Sequence, residues 1–193
     1  MSEKQDMDPE AIALIDRASA LFSKAPENAD APFRYPVLST VARDGSPNGR
    51  TLVLRTANPA TWQATLHTDS RAEKVAELAA NDAAMLVFYD QQASMQLRLK
   101  GTISQKLDKA ALKAIWEKLP ASTRPNYRAS LSTGSAISAA GDGIAPSGAL
   151  SGFENFSVLT FTTETVDILQ LARSGNRRYR LDVLSGTGTW LIP

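Results

Sequence analysis

The 193-residue chain contains no cysteine and a single histidine. These two shortages remove disulfides, thiolate nucleophiles, cysteine-held metals, and zinc or iron sites built from several histidines. They also leave the usual nucleophilic triads and dyads without parts, and there is no Gly-x-Ser-x-Gly elbow. Neither a Walker-type glycine loop nor a dinucleotide Gly-x-Gly-x-x-Gly is present. A formal charge of +1 gives no general pull toward nucleic acid or an anionic membrane, so electrostatic specificity has to be local. No apolar run approaches the roughly 20 residues needed to span a bilayer. The polar segment from Met1 to Pro9 lacks the apolar stretch of a signal peptide. The expectation is a cytoplasmic protein without nucleic-acid or membrane partners, whose chemistry is carried by a bound organic cofactor.

The length fits one domain over 1–193. Asp8-Pro9-Glu10 reads as cap, first-turn proline and first-turn acid, and predicts a helix from about Pro9 to Lys24 with Ile12, Ile15, Ser19 and Phe22 on one face. The segment to Pro32 is then a linker. Tyr35 to Ala42 and Gly49 to Thr56 read as two strands of a hairpin around Arg43-Asp44-Gly45-Ser46-Pro47, with a third strand at Trp62 to Thr68. Asp69 or Ser70 caps a helix to about Ala80, with Ser70 and Glu73 fitting a capping box and Ala72, Val75, Ala76 and Ala79 forming the apolar face. Ala84 to Tyr89 reads as a buried strand, while Met95 to Gln105 alternates with period two. A second amphipathic helix begins near Asp108 and carries Leu112, Ile115, Trp116 and Leu119. The Gly/Ser/Ala-rich stretch 129–155 reads as a long loop. Strands resume at Phe156 to Thr163, Val166 to Ala172, Arg177 to Leu184 and Thr189 to Ile192. Many strands with short connections predict a mainly β fold with peripheral helices, an antiparallel barrel rather than a doubly wound sheet.

Three basic or polar segments follow one another in this frame. In Arg50-Thr-Leu-Val-Leu-Arg55, read as one strand, the two arginines bracket Thr51, Leu52 and Val53, whose backbone groups suit a planar heterocycle. The same pattern also describes a surface strand with solvated arginines. His67-Thr68 ends the next strand beside a helix start that favours an anion, with Arg71 and Lys74 close behind. Glu73 and Glu77 equally suit a solvated helix face that balances those two cations. Gln96 carries an amide that donates and accepts together, which suits a heterocycle edge or merely an exposed strand position.

Arg50 to Arg55, His67 to Lys74 and Gln96-x-Arg98-x-x-Gly101 together resemble the pyridoxamine 5'-phosphate oxidase-like family of FMN-binding split-barrel proteins. The similarity covers Phe33 to Ile103 well and the last 40 or so residues more loosely, and the Thr68-to-Lys74 spacing is closest to the uncharacterised branch. The resemblance implies an FMN phosphate on Arg50, Thr68, Arg71 and Lys74, with the ring along Thr51, Leu52 and Val53 and its pyrimidine edge near Gln96. It also implies a homodimer with FMN at the subunit interface, and a cofactor contact at Arg180. His67 stands where family oxidases carry tyrosine, Leu169 where they carry tryptophan, and Asn176 to Arg180 replaces an Arg-x-His-x-x-Arg substrate motif, which puts pyridoxamine 5'-phosphate oxidation in question. The resemblance further implies a cofactor-contacting loop at Ser132 to Ser135.

The expected protein is an FMN-dependent oxidoreductase, with Arg55, Arg177 and Arg178 as candidates to bind an anionic small-molecule substrate. No catalytic acid, base or metal ligand is assigned. Its rivals are a non-catalytic flavin carrier or sensor, a haem-binding split barrel with His67 as axial ligand, and a cofactor-free dimerising β-domain.

Overall fold

The computed structural model describes residues 7–140, 142–143 and 151–193. Helix α1 (Pro9–Lys24) starts as its cap predicts: the Asp8 carboxylate accepts from the Glu10 N–H at 2.9 Å. Its buried stripe is Ala11, Leu14, Ala18 and Phe22. That is one residue away from the expected Ile12–Ile15–Ser19 face, because the small alanines let the helix axis approach the sheet. Strands β1 (Val37–Val41) and β2 (Pro47–Thr51) form the expected hairpin, with Gly45 at φ +85 in the turn.

The segment Gly49 to Thr56 is not one strand. It breaks at Leu52-Val53, and β3 (Leu54–Asn58) pairs instead with β4 (Gln63–Asp69). Helix α2 (Glu73–Ala80) follows, then β5 (Ala83–Asp90), β6 (Met95–Ser104), helix α3 (Lys109–Glu117), β7 (Phe156–Gln170), β8 (Arg177–Asp182) and β9 (Gly188–Leu191). The main sheet path runs β2-β1-β5-β6-β7-β4-β3, with β8 and β9 extending from β7, and every pairing is antiparallel. The ends of that path, β2 and β3, are consecutive in sequence. Two linking residues span no more than about 10 Å, so the sheet must curl until its ends meet. The chain, rather than a hydrogen-bonded ladder, closes a split antiparallel barrel.

Two cores result. Inside the curl, Phe22 stacks on Trp62 at 5.6 Å and meets Phe88 edge-on at 5.7 Å, above buried Leu38, Leu54, Leu66, Leu86, Leu97 and Leu99. On the other face of β4 and β7, Trp116, Leu119 and Tyr127 cover Phe156 and Val158. The α3 cap forms as read, with Asp108 accepting from the Ala111 N–H at 2.8 Å. Three expectations fail. Strand β5 alternates between buried and accessible positions, with Tyr89 51% exposed, because only one of its faces meets the inner core. The two strands expected over 156–172 are one 15-residue strand whose register slips opposite Lys100 and Gly101. Helix α2 buries Glu77 and Leu78 while Ala76 and Ala79 are exposed, and it has no side-chain cap, so the Ser70–Glu73 box does not form. No helix among the described residues is long and apolar enough to cross a membrane. The loop 129–155 carries no strand over its described part; Gly141 and residues 144–150 lie outside the described residues.

Candidate functional site

The start of α2 and the end of β4 meet the β1–β2 hairpin in a charged corner. Leu38 faces Arg50 and Thr40 faces Asn48 across the hairpin, which turns Arg50 toward α2. There Arg50 Nη2 pairs with Glu77 at 3.1 Å and its Nη1 donates to the Thr40 hydroxyl. Glu77, only 2% exposed, also accepts from Thr40 Oγ1 at 2.6 Å and Asn48 Nδ2 at 2.8 Å. Burial pushes its carboxyl up, but these bonds and the Arg50 charge hold it below its ordinary value. Lys74, in the first turn of α2, donates to the buried Thr68 hydroxyl at 3.2 Å. No carboxylate among the described residues stands within 4.0 Å of its ammonium. Burial first, and the Arg50 charge second, lower its pKa against the pull of Asp69, Glu77 and Glu73.

Arg71 lies before the helix rather than in its first turn. It forks onto Asp69, Nε to Oδ1 at 3.0 Å and Nη2 to Oδ2 at 2.7 Å, and donates to the Ala129 carbonyl at 3.1 Å. The structure thus brings Arg50, Thr68, Arg71 and Lys74 to one corner, but two of its three cations already hold carboxylates. Glu77, read as balancing Arg71 and Lys74 on a solvated face, is buried against Arg50 instead, and Asp69, read as a cap, holds Arg71. No local signal marks either acid, since sequence neighbours in a helix point about 100° apart and Ala79, on the other side of Leu78, is exposed. Thr51 ends β2 and is exposed, and the half-buried Leu52 and Val53 form the β2–β3 link.

Arg55 and His67 sit at the second core. His67 meets Phe156 edge-on at 5.0 Å, and Tyr127 meets the same ring at 5.2 Å. Neither Arg55 Nε nor His67 Nδ1 has a hydrogen-bond partner, although both atoms are buried. Burial, and secondarily the Arg55 charge, lower the His67 pKa from 6.5 to about 4. The unfolded chain therefore protonates His67 first as pH falls, so folding stability is lost from about pH 6.5 down toward 4. Between pH 7.5 and 5.0 this amounts to about 2 kcal/mol, at ~1.4 kcal/mol per unit of pKa difference. Urea unfolding at those two pH values should show His67→Asn with a correspondingly shallower loss than wild type; equal slopes would refute the assignment.

Gln96 and the C-terminal arginines do not reach either place. Gln96 lies on the outer sheet face between Tyr89 and Leu169, and no hydrogen bond or ion pair among the described residues links it to the corner. Arg177 and Arg178 point to opposite faces, as neighbours in a strand must. Arg177 pairs with Glu10 of α1 at 3.6 Å, whereas Arg178 and Arg180 turn outward to Asp167. Ser132 and Ser135 bond to each other at 3.0 Å in an exposed turn. No group of three or more metal-ligating side chains occurs among the described residues.

Residues 17–105 match the family model described as pyridoxamine 5'-phosphate oxidase, FMN-binding domain. A pyridoxamine 5'-phosphate oxidase-related, FMN-binding protein from Nostoc punctiforme superposes with a TM-score of 0.71 at 23% identity, covering 98% of this chain and 100% of that one. PhzG from Burkholderia lata, solved with tetrahydrophenazine-1-carboxylic acid, gives 0.69 at 17% identity over 100% and 97%. A general-stress-protein-26-related protein of the pyridoxinephosphate oxidase family from Clostridium acetobutylicum gives 0.59 at 16% over 91% and 98%. No curated protein matches the chain in sequence. A little under half of the chain, residues 17–105, thus resembles that FMN-binding domain in sequence, and the split-barrel fold of these solved structures extends over nearly its whole length.

Proposed function

We propose that this protein binds FMN and acts as an oxidoreductase, with the flavin phosphate seated on Lys74, Thr68, Arg50 and Arg71. The observation that carries the reading is Lys74, a partly buried ammonium with a hydroxyl for its partner and no carboxylate in contact. Burying an unpaired cation is costly unless an anion arrives to compensate it. A phosphate dianion fits the donor set, since a guanidinium has five N–H donors and neither Arg50 nor Arg71 spends all of them on its carboxylate. Bound FMN would supply hydride or electron transfer at its ring. The chain contributes the phosphate clamp and the ring's orientation along Thr51, Leu52 and Val53.

Gln96 and Arg180 belong to this reading only if a second copy of the chain supplies them, because they stand on the outer face of β6 and β8. A homodimer with two interfacial sites meets that need. Tyr89 and Val37 on the same sheet face, 51% and 39% exposed, give it apolar surface to bury. Light scattering at micromolar concentration should return twice the chain mass, with one flavin per chain.

Flavin titration tests the clamp. Lys74→Ala loses one charge-assisted hydrogen bond and should weaken FMN binding by roughly 10- to 100-fold, with little change in the thermal midpoint of the flavin-free protein. Unchanged affinity would place the phosphate elsewhere. Anaerobic bleaching of the flavin by NAD(P)H or a small anionic donor separates an oxidoreductase from a carrier, which would stay oxidised.

A further inference from the structure

Across β6, β7 and β8 the residues Arg98, Asp167 and Arg180 stand in register in one row on the outer face, with Arg178 in the next row. All three guanidiniums converge on the one carboxylate. Arg178 forks onto it, Nε to Oδ1 at 3.1 Å and Nη2 to Oδ2 at 3.0 Å. Arg98 Nη2 reaches Oδ2 at 2.9 Å, and Arg180 Nε stands 3.5 Å from the same oxygen. Asp167 is 6% exposed, whereas Arg180 is about half exposed. The four side chains line a hollow of about 280 Å³ together with Lys100, Met85 and Thr165.

One carboxylate cannot neutralise three guanidiniums and an ammonium. Left to themselves, these long side chains would separate into solvent, which relieves their repulsion and recovers rotamer freedom. The bonds to Asp167 oppose that dispersal and leave guanidinium edges unspent: Arg98 Nε is buried without a partner, and Arg180 is held by one long contact. The fork geometry of arginine suits a carboxylate or phosphate, and a hollow of this size admits one ring-sized molecule carrying such a group.

We propose that Asp167 is a positioning residue that gathers Arg98, Arg178 and Arg180 into a receptor for the oxyanion of a small-molecule substrate. This rests on the reading of the protein as a flavin oxidoreductase and deepens it. Arg177, turned to Glu10, takes no part.

Two probes, benzoate and phenyl phosphate, separate a carboxylate from a phosphate site by calorimetric titration, run with and without saturating FMN. The informative variant is Asp167→Asn, because two roles predict opposite signs. If Asp167 merely offsets positive charge, removing its charge tightens anion binding. If it positions the arginines, binding weakens by about tenfold although the hollow has become more positive, and Asp167→Glu restores it to within about threefold. Tighter or equal binding by Asp167→Asn overturns the proposal, as does a wild-type protein that binds neither probe. Should Asp167→Asn fail to fold, Arg180→Gln at the most exposed spoke decides: a several-fold loss for the bound probe supports the cluster, and no change overturns it. If the probes follow this pattern while FMN does not bind, the positioning role stands and the flavin reading falls.

Discussion

Gly101→Ala is expected to destabilise the fold by about 3 kcal/mol or more, near the top of the range for overpacked cores. A Cβ at this buried position would lie 2.0 Å from the Thr162 carbonyl oxygen and 3.0 Å from both Thr162 C and Thr163 Cα. Those are backbone atoms, so no side-chain rotation relieves the contact. Nor can the strand move aside, since Gly101 pairs with Ala84 of β5 on one side and Thr163 of β7 on the other. The close approach comes from the register shift at Lys100/Gly101, where β7 carries one extra residue, Glu164, between the partners of those two positions. Gly49→Ala is the control: its Cβ would meet only Val37 Cγ1 at 3.7 Å and Ser39 Oγ at 4.0 Å, ordinary contacts on an exposed strand. Urea midpoints should leave Gly49→Ala within ~0.5–1 kcal/mol of wild type while Gly101→Ala unfolds far earlier. Equal midpoints would mean that β6 and β7 are farther apart than described.

That glycine also marks where local reading of the sequence stops working. Helix α1, helix α3 and strand β6 were legible because their signals are local: a cap, a proline, a clean alternation over ten residues. The two errors in strand extent have a long-range cause. Residues 49–56 read as one run because nothing between Thr51 and Leu54 is a turn former; the break exists because the sheet ends must meet there. Thr163-Glu164-Thr165 reads as a boundary, yet the chain continues as one bent strand because β6 offers Gly101 to receive the bulge.

The candidate site divides in the same way. Arg50, Thr68, Arg71 and Lys74 were placed by neighbours in sequence, and the fold gathers them at one corner. Gln96 entered by its amide chemistry as well as by resemblance, and Arg180 by resemblance alone; the single chain keeps both on another face. The roles of the acids were not legible because Glu77 looks like a solvated helix carboxylate and Asp167 like any strand carboxylate. Only the fold reveals that each is buried and holds several donors from other elements.

Glu77→Ala should cost about 3 kcal/mol or more, because it strips the acceptor from three donors at once and leaves Arg50 partly buried without its counter-ion. The informative part is what FMN then does. Glu77 and the flavin phosphate compete for one guanidinium in the proposed corner, so in wild type the ligand gains only the donors that the carboxylate leaves free. In Glu77→Ala the phosphate becomes the sole anion available to Arg50. Saturating FMN should therefore raise the thermal midpoint of the variant by more than it raises that of wild type, since a ligand that binds only the native state stabilises it in proportion to its gain there. Riboflavin, which lacks the phosphate, should show no such difference. An FMN shift in the variant equal to or smaller than the wild-type shift would separate Arg50 from the phosphate and leave Lys74 and Arg71 to hold it.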